Sequence, residues 1–232
     1  MAKACGALFD CNGVIFDDYQ LQYSAWNEFS LQIREKPLSH QEMKNNLLSI
    51  ATTDGVQWMT NYKLSSDEVL ALVDKVRALR KSFEKEGLNY TFMPGVTQVF
   101  DWLKEHDIPR TIVTSASIPS IRELFTTLAL DRWFAWESIV CNDGTHNNKP
   151  AADPYVLGAA HIGVPASECV VFEDSPSGII SGYAAGSRQI VGIARSRGPD
   201  GLDALPGVTL VIPDFTEFDP AQLFITRKKK RV

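Results

Sequence analysis

A short apolar run near the start of the chain ends abruptly in a carboxylate, and this feature constrains the fold most. Residues 7–9 are apolar and Asp10 follows them directly, with Asn12 and Gly13 in the next three positions. In α/β proteins, reactive groups are carried at the carboxyl ends of buried parallel strands and in the loops that follow. The run therefore predicts a buried first strand that delivers Asp10, the first candidate reactive residue, into a loop.

The segment 17–91 carries helical patterns and no strand pattern. Aromatic and apolar residues recur at helical spacing until Pro37, which ends the first predicted helix. A second helix is predicted from His40 to Leu48, and a capping box at Ser65 and Glu68 marks the start of a third. A helical insertion between the first strand and the rest of the chain predicts a lid.

From residue 92 onward, short apolar runs alternate with amphipathic helical patterns. The predicted strands after the first are 111–113, 138–141, 169–172, 189–193 and 208–212. Such alternation is typical of a doubly wound, mainly parallel sheet, whose site lies at the carboxyl ends of its strands. We predict an α/β fold in which a Rossmann-like core, residues 1–16 and 92–232, is interrupted by an all-helical cap domain, residues 17–91.

Polar residues follow several predicted strands, and they would meet at one edge of the sheet. They are, in chain order, Ser115 and Ala116, then Lys149, then Glu173 and Asp174. Phosphoryl transfer needs hydrogen-bond donors and positive charge around the phosphate, together with a nucleophile in line. Ser115 and Lys149 are candidates for the first two needs. The hard oxygens of Asp174 and Asp10 suit Mg²⁺, which would offset the charge of a carboxylate approaching an anion.

Four ordered segments resemble the motifs of the haloacid dehalogenase-like hydrolase superfamily. They are the Asp10 loop, residues 114–117, residues 148–154 and residues 172–179. The last two are especially similar to the subgroup that contains β-phosphoglucomutase and sugar-phosphate phosphatases, which carry a helical cap after the first motif. The resemblance spans the whole chain, and the agreement in order and residue type makes it specific.

The resemblance implies a role for each of these residues. The implied catalytic residues are Asp10 as nucleophile, Asn12, Ser115 and Lys149. The implied substrate-binding residues are Ser115, Ala116, Lys149 and Asn12. The implied Mg²⁺ ligands are Asp10, Asn12 through its backbone carbonyl, Glu173 and Asp174. The expected function is a Mg²⁺-dependent phosphoric-monoester hydrolase that acts on a small phosphorylated metabolite through an aspartyl-phosphate.

Asn12 departs from the usual motif of the family, which has a second aspartate at this position. In the family that aspartate protonates the leaving oxygen and later activates water, and an amide cannot exchange protons in this way. General acid–base catalysis contributes about 10²–10⁴ in rate, so slow turnover and a long-lived covalent intermediate are expected. Three explanations stay open: an engineered Asp-to-Asn form of an ordinary enzyme, a natural enzyme whose leaving group needs no acid, and a phosphometabolite-binding pseudoenzyme.

Two other enzymatic activities are alternatives. The resemblance implies that a β-phosphoglucomutase-like phosphotransferase carries a histidine in its first cap helix and an arginine in the next cap loop. This chain has Gln22 in that helix and no arginine in residues 49–54, which favours a simple monoesterase. Hydrolytic dehalogenases also lack the second aspartate, but the acidic pair Glu173 and Asp174 favours phosphate chemistry.

Charge and composition narrow the expected partners. The formal net charge is −5, so nucleic-acid binding is not expected. The basic run 227–231 is a local exception, which we interpret as a solvated tail. No apolar segment reaches the about 18 residues that a membrane helix requires, and no signal peptide precedes the first strand, so a cytoplasmic protein is expected. The oligomeric state is open, since a cap of this size would let one subunit enclose its own site.

Overall fold

The structure is a computed structural model that describes residues 4–48, 52–194 and 201–224. Its helices are α1 (Tyr19–Arg34), α2 (His40–Asn46), α3 (Thr52–Met59), α4 (Ser66–Lys85), α5 (Val96–Glu105), α6 (Ile118–Thr127), α7 (Asp153–His161) and α8 (Pro176–Ala184). Its strands are β1 (Gly6–Phe9), β2 (Phe16–Asp17), β3 (Thr91–Phe92), β4 (Arg110–Ser117), β5 (Val140–Asn142), β6 (Cys169–Glu173), β7 (Gln189–Ile193) and β8 (Val208–Ile212). Within these ranges, no helix is both long and apolar enough to cross a membrane. The basic run 227–231 and residues 49–51 lie outside the described residues.

The chain divides into two compact units, residues 1–16 with 92–232 and residues 17–91. In the described part of the first unit, a six-stranded sheet has the order β5-β4-β1-β6-β7-β8. Every neighbouring pair in it is parallel. The chain runs outward from β1 through β4 and β5, then returns to the other side of β1 at β6, so the strand order reverses at β1. The predicted doubly wound, mainly parallel α/β fold is confirmed.

The position of β1 between β4 and β6 brings residues of the three strands to one level. Phe9, the last residue of β1, pairs in register with Ile112 of β4 and Phe172 of β6. The rings of Phe9 and Phe172 stack with centroids 4.5 Å apart, and the Phe100 ring meets Phe9 edge-on at 5.1 Å. This buried aromatic packing fixes the register directly beneath the next residues of the three strands. Those residues are Asp10, Val113 and Glu173.

The unit 17–91 is helical and has its own apolar core, as its periodicity predicts. Among the buried residues of this core are Trp26, Phe29, Val56 and Val73. The predicted capping box starts α4: the Ser65 N–H donates to Glu68 Oε2 at 2.9 Å. Helix α3 was not predicted, because its two threonines and Gly55 obscure the helical pattern. Gly55 lets α3 approach α1, since a Cβ there would lie 2.7 Å from the Trp26 ring.

Several element boundaries differ from the sequence predictions. β4 continues to Ser117 instead of ending at Val113, and its register against β5 shifts between these residues. Glu173 is the last residue of β6 rather than the first residue of the loop, because its backbone still pairs with β7. The expectation of no strand in 17–91 was wrong at its two ends. Asp17 and Thr91 belong to the short strands β2 and β3, which pair where the chain enters and leaves the helical segment.

Candidate active site

Asp10 lies at the carboxyl end of β1. Its backbone N–H donates to the Phe172 carbonyl at 3.0 Å, which continues the pairing of β1 with β6 past the end of the strand. Its side chain is 13% exposed. The chain turns back at Gly13, whose φ is +80° and whose N–H donates to the Phe16 carbonyl at 2.8 Å. Because a positive φ favours glycine, Gly13 is required by the turn that presents Asp10.

Lys149 contacts β4, β6 and the residue that follows β1 with one ammonium group. Its Nζ donates to Asp10 Oδ1 at 2.5 Å, to the Val113 carbonyl at 2.9 Å and to Glu173 Oε1 at 2.6 Å. These bonds use the three donors of the ammonium, and the side chain is only 4% exposed. Lys149 therefore lies between two carboxylates and offsets their repulsion.

Glu173 is a fully buried carboxylate that accepts hydrogen bonds on both oxygens. Oε1 accepts from Lys149 Nζ and, at 2.8 Å, from the Tyr155 hydroxyl. Oε2 accepts from the N–H groups of Asp174 and Ser175, both at 3.1 Å, and from Ser175 Oγ at 2.9 Å. Burying an unpaired carboxylate is very unfavourable, and these five donors remove that cost.

The first turn of α8 leaves room for Glu173 because residue 178 is glycine. A Cβ built on Gly178 would overlap the Glu173 carboxylate. The Gly178 N–H donates to Ser175 Oγ at 3.1 Å, so Ser175 caps α8 while its hydroxyl donates to Glu173. Residues 173–178 thus include the end of β6, the N-cap of α8 and the first turn of α8, and all three surround the Glu173 carboxylate.

Asp174 completes an acidic cluster with the composition of a metal site. One carboxylate oxygen from each of Asp10, Glu173 and Asp174 lies within 4.8 Å of the other two. Asp174 also lies against the Asp10 loop, because a Cβ on Gly13 would overlap its carboxylate. Hard oxygen donors fit Mg²⁺ and similar cations. Glu173 already accepts five hydrogen bonds, which leaves its carboxylate little capacity to bind a metal ion.

The burial of this cluster changes its protonation chemistry. Burial raises the pKa of Asp10 from 3.8 to about 7; Lys149 opposes this rise and Glu173 adds to it. Burial by itself would lower the pKa of Lys149, but Asp10 and Glu173 together raise it above its ordinary value. Lys149 is therefore a permanent cation at neutral pH. A divalent cation beside Asp10 would favour the ionised carboxylate.

The other predicted site residues lie on the Asp10 loop and on the extension of β4. Asn12 is half-buried in the loop that follows β1. Ser115 is exposed, two residues beyond the Val113 carbonyl that Lys149 contacts. The Ala116 N–H donates to Thr114 Oγ1 at 3.1 Å, so Ser115 is the more available donor of the pair. The structure thus joins four predicted residues, Asp10, Lys149, Glu173 and Asp174, which we call the core cluster.

Tyr155, Val113 and Ser175 contact the core cluster and were not predicted as site residues. Tyr155 is fully buried on α7, and its hydroxyl donates to Glu173. Its signal was available, because it directly follows the segment 148–154 that contains Lys149 and adds a hydroxyl among the apolar residues of α7. Val113 contributes its backbone carbonyl, and a backbone group leaves no signal in the sequence.

A second polar cluster lies within the unit 17–91. It consists of Asp18, Gln22, Arg80 and Tyr90, and we call it the cap cluster. Gln22 Nε2 donates to Asp18 Oδ2 at 2.9 Å, and Arg80 Nη2 donates to Gln22 Oε1 at 2.8 Å. Burial raises the pKa of Tyr90 to about 12, although Arg80 opposes the rise. Sequence reasoning missed Arg80, whose buried Nε has no hydrogen-bond partner among the described residues.

Known proteins resemble this chain over most of its length. Residues 7–191 match the family described as Haloacid dehalogenase-like hydrolase. The chain is 31% identical over 190 residues to hexitol phosphatase A of Escherichia coli, covering 80% of this chain and 81% of that protein. It is 26% identical over 189 residues to the phosphorylated carbohydrates phosphatase of Thermotoga maritima, covering 82% and 85% of the two chains.

Solved structures share the fold. A HAD hydrolase of family IA, variant 3, from Entamoeba histolytica matches with a TM-score of 0.83 and 30% identity, covering 94% of this chain and 96% of that one. β-Phosphoglucomutase from Clostridium difficile matches with a TM-score of 0.73 over 93% of each chain, and at 19% identity it shows the shared fold alone. The family match covers the Asp10 loop, Lys149 and the acidic pair. This chain belongs to the haloacid dehalogenase-like hydrolase family.

Proposed function

We propose that this protein is a phosphatase that cleaves a small phosphorylated metabolite through an aspartyl-phosphate on Asp10. The core cluster carries the proposal, because it combines a carboxylate suited to be a nucleophile, a fixed cation and carboxylates that could hold a metal ion, all at one edge of the sheet. The names of two relatives, a hexitol phosphatase and a phosphorylated carbohydrates phosphatase, support a sugar-phosphate-like substrate. We further propose that it acts in the cytoplasm, without nucleic acid or membrane partners.

In the first step, a carboxylate oxygen of Asp10 attacks the phosphorus, and the bond between phosphorus and the ester oxygen breaks. The electron pair of that bond leaves with the ester oxygen. Lys149 orients Asp10 through Oδ1 and places positive charge beside the phosphoryl oxygens. Ser115 donates a further hydrogen bond to those oxygens, and with Lys149 it accounts for the binding of the phosphoryl group.

The donor set of the acidic cluster fits a divalent cation, and we propose Mg²⁺. Asp10 and Asp174 would hold it together with the backbone carbonyl of Asn12. When bound, the ion supplies positive charge that lets an anionic carboxylate approach an anionic phosphate. Glu173, whose oxygens are occupied by five donors, would act mainly by holding Lys149 and the Asp174 loop in place.

Asn12 stands at the position from which, in the family, a carboxylate makes the two proton transfers of the cycle. Its amide neither protonates the departing ester oxygen nor accepts a proton from the water that hydrolyses the aspartyl-phosphate. The loss of general acid–base catalysis slows these steps by about 10²–10⁴. We therefore propose that phosphorylated Asp10 accumulates, most visibly with substrates whose leaving group is stable as an anion.

The same residue favours a second candidate function, a phosphometabolite-binding protein with little turnover. An asparagine keeps the backbone carbonyl and the hydrogen-bonding capacity of the position, so binding of metal and phosphate survives without proton transfer. In either case we propose that the unit 17–91 is a cap that selects the substrate, with Arg80 as its candidate substrate-binding cation.

Rapid mixing with p-nitrophenyl phosphate tests the proposal, because p-nitrophenolate leaves without an acid. We expect a burst of one p-nitrophenolate per protein molecule, followed by slow steady-state release, and one added phosphoryl group on the peptide that contains Asp10. In Asn12→Asp, steady-state release should rise by about 10²–10⁴ and the burst should disappear. Asn45→Asp is the matched control, because Asn45 is exposed on α2 and should change neither phase.

The alternative outcomes separate the two functions. Absence of a burst from the unmodified protein and absence of turnover in Asn12→Asp would contradict the phosphatase. If calorimetry with sugar phosphates and Mg²⁺ then detects binding that Lys149→Met abolishes, the binding function is supported. Absence of both binding and turnover contradicts both candidates.

A further inference from the structure

The hydroxyl of Tyr155 is a polar group in the apolar core of the first unit, and packing alone gives no reason for it. The side chain is fully buried in a cluster that includes Leu8, Val113 and Ile179. A phenylalanine ring would occupy the same volume. Burying a hydroxyl is unfavourable unless it is hydrogen-bonded, and this one donates to Glu173 Oε1 at 2.8 Å.

Tyr155 and Lys149 share that acceptor. Glu173 Oε1 also accepts from Lys149 Nζ at 2.6 Å, so two donors fix the position of one oxygen. The ammonium lies 4.9 Å from the centroid of the Tyr155 ring, within the range of a cation–π contact. Tyr155 therefore contacts Lys149 through its ring and, through its hydroxyl, holds the carboxylate that Lys149 binds.

We propose that Tyr155 is a positioning residue for Lys149: its hydroxyl fixes Glu173 Oε1 and thereby the direction in which the ammonium is held against Asp10. Burial, and then the charge of Glu173, raise the pKa of Tyr155 well above its ordinary value, so the hydroxyl stays protonated and remains a donor. The catalytic consequence of this inference rests on the proposed phosphatase function, whereas its geometric part does not.

Loss of the hydroxyl has a directional effect on the ammonium. With one donor fewer, Glu173 Oε1 attracts Lys149 more strongly and draws it away from Asp10. The charge of Lys149 then lies farther from the phosphoryl oxygens, and a small misplacement of a catalytic group reduces the rate more than it reduces binding. Metal binding should be unaffected, because Tyr155 hydrogen-bonds to Glu173 and not to the proposed ligands Asp10 and Asp174.

NMR of ¹⁵N-lysine-labelled protein tests the positioning without any catalysis. The Lys149 ammonium donates three hydrogen bonds and is 4% exposed, so it should exchange slowly enough to give a signal, which Lys149→Arg assigns by its loss. Tyr155→Phe should shift and broaden this signal. Tyr183→Phe, at a residue that is 56% exposed, should leave it unchanged. An unchanged signal in folded Tyr155→Phe would overturn the proposal.

A second measurement uses the unmodified protein and does not depend on the folding of a variant. Because Tyr155 and Lys149 donate to the same oxygen, the hydroxyl proton of Tyr155 should be observable and should show cross-relaxation with the ammonium protons of Lys149. Absence of that proton from the spectrum of the folded protein counts against the shared acceptor and overturns the proposal.

The catalytic consequence is measured as the rate constant of the p-nitrophenolate burst at saturating substrate. Tyr155→Phe should slow it about tenfold, while the substrate concentration at half-maximal rate and the Mn²⁺ affinity measured by electron paramagnetic resonance change less than about twofold. An unchanged burst rate overturns the catalytic part, and a parallel loss of Mn²⁺ affinity assigns the hydroxyl to the metal site instead. If the unmodified protein gives no burst and Asn12→Asp gives no turnover, the proposed function fails while the lysine signal still decides the positioning.

Discussion

The core cluster and the cap cluster are both polar groups built around one cation, and they differ in how that cation is used; Lys149 is buried, whereas Arg80 is half-buried. Lys149 donates to three acceptors, two of them carboxylates. Arg80 donates to the neutral amide of Gln22, and its Nε has no hydrogen-bond partner among the described residues. Lys149 therefore uses all three of its donors within the protein, whereas Arg80 leaves one buried donor without a hydrogen-bond partner in the described part of the chain.

This difference fits a model in which the core cluster sets the reaction rate and the cap cluster sets the substrate preference. Lys149 is held between two carboxylates, so its position relative to Asp10 is fixed. A reaction at a single phosphorus atom requires such fixed positions. Because Arg80 is half-buried and donates to a neutral amide, we propose that its guanidinium can bind a group that varies from one substrate to another. We therefore expect changes in the core cluster to reduce the rate for all substrates, and changes in the cap cluster to alter the preference among substrates.

The largest effect is expected from removing the nucleophile of the core cluster. Asp10→Asn, made in the Asn12→Asp background to give a high initial rate, should abolish both the burst and the steady-state release of p-nitrophenolate. Mass spectrometry should find no added phosphoryl group. Phosphorylation at another residue of the double variant would show that Asp10 is not the nucleophile.

A large effect on the burst rate and on stability is also expected from removing the ammonium group of Lys149. Lys149→Met should slow the burst by about 10²–10³, the range seen when a charge-stabilising donor is lost. It should also cost about 3–5 kcal/mol of unfolding free energy at neutral pH, because two buried carboxylates lose their counter-ion. Lys75→Met, at an exposed position of α4, is the control and should change neither quantity. If Lys149→Met keeps the burst rate and the unfolding free energy of the unmodified protein, the proposed difference between the two clusters is contradicted.

The protonation of Asp10 should make metal binding depend on pH. Because its folded-state pKa is raised to about 7 from 3.8, the folded protein gains stability from protonated Asp10 at low pH and loses it as pH rises towards about 7. Mg²⁺ needs the ionised carboxylate, so the rise in melting temperature caused by Mg²⁺ should grow between about pH 5 and about pH 8. In Asp10→Asn this growth should be much smaller, and an equal growth would assign it to another group.

The smallest effect is expected in the cap cluster. Arg80→Met should leave the burst rate with p-nitrophenyl phosphate within about twofold and should change the relative KM values of a panel of sugar phosphates by several-fold, the scale of a single lost hydrogen bond. Arg77→Met is the matched control on the same helix, because Arg77 is 67% exposed and pairs with Asp74 at the surface. A general fall in burst rate with Arg80→Met would mean that the two clusters are not separable.

The sequence patterns predicted those parts of the molecule whose signal is local. The apolar run before Asp10 predicted β1, and the strands 189–193 and 208–212 were predicted with the boundaries observed. The capping box at Ser65 predicted the start of α4. Each of these signals is contained in a few neighbouring residues, so no tertiary information was needed.

The features that were missed depend on tertiary contacts. Helix α3 has a weak pattern of its own and is held by packing against Trp26. The extension of β4 to Ser117 depends on pairing with β5. The predicted proximity of Lys149 to Asp10 came from the expected topology of the sheet and from the family resemblance, but its bond to the Val113 carbonyl follows only from the register of the sheet. The role of Tyr155 depends in the same way on a partner that is 18 positions away in the sequence.

Because Gly178 has no side chain, the residues that evolution can place at positions 173 and 178 depend on each other. Because a methyl group at position 178 would overlap the Glu173 carboxylate, an alanine at 178 is tolerable only together with a shorter residue at 173. Such a double replacement would remove the Glu173 oxygen to which Lys149 Nζ donates. Homologues should therefore show covariation between positions 173 and 178. A homologue with glutamate at 173 and glycine at 178 is expected to keep a lysine that binds two carboxylates, as Lys149 binds Asp10 and Glu173.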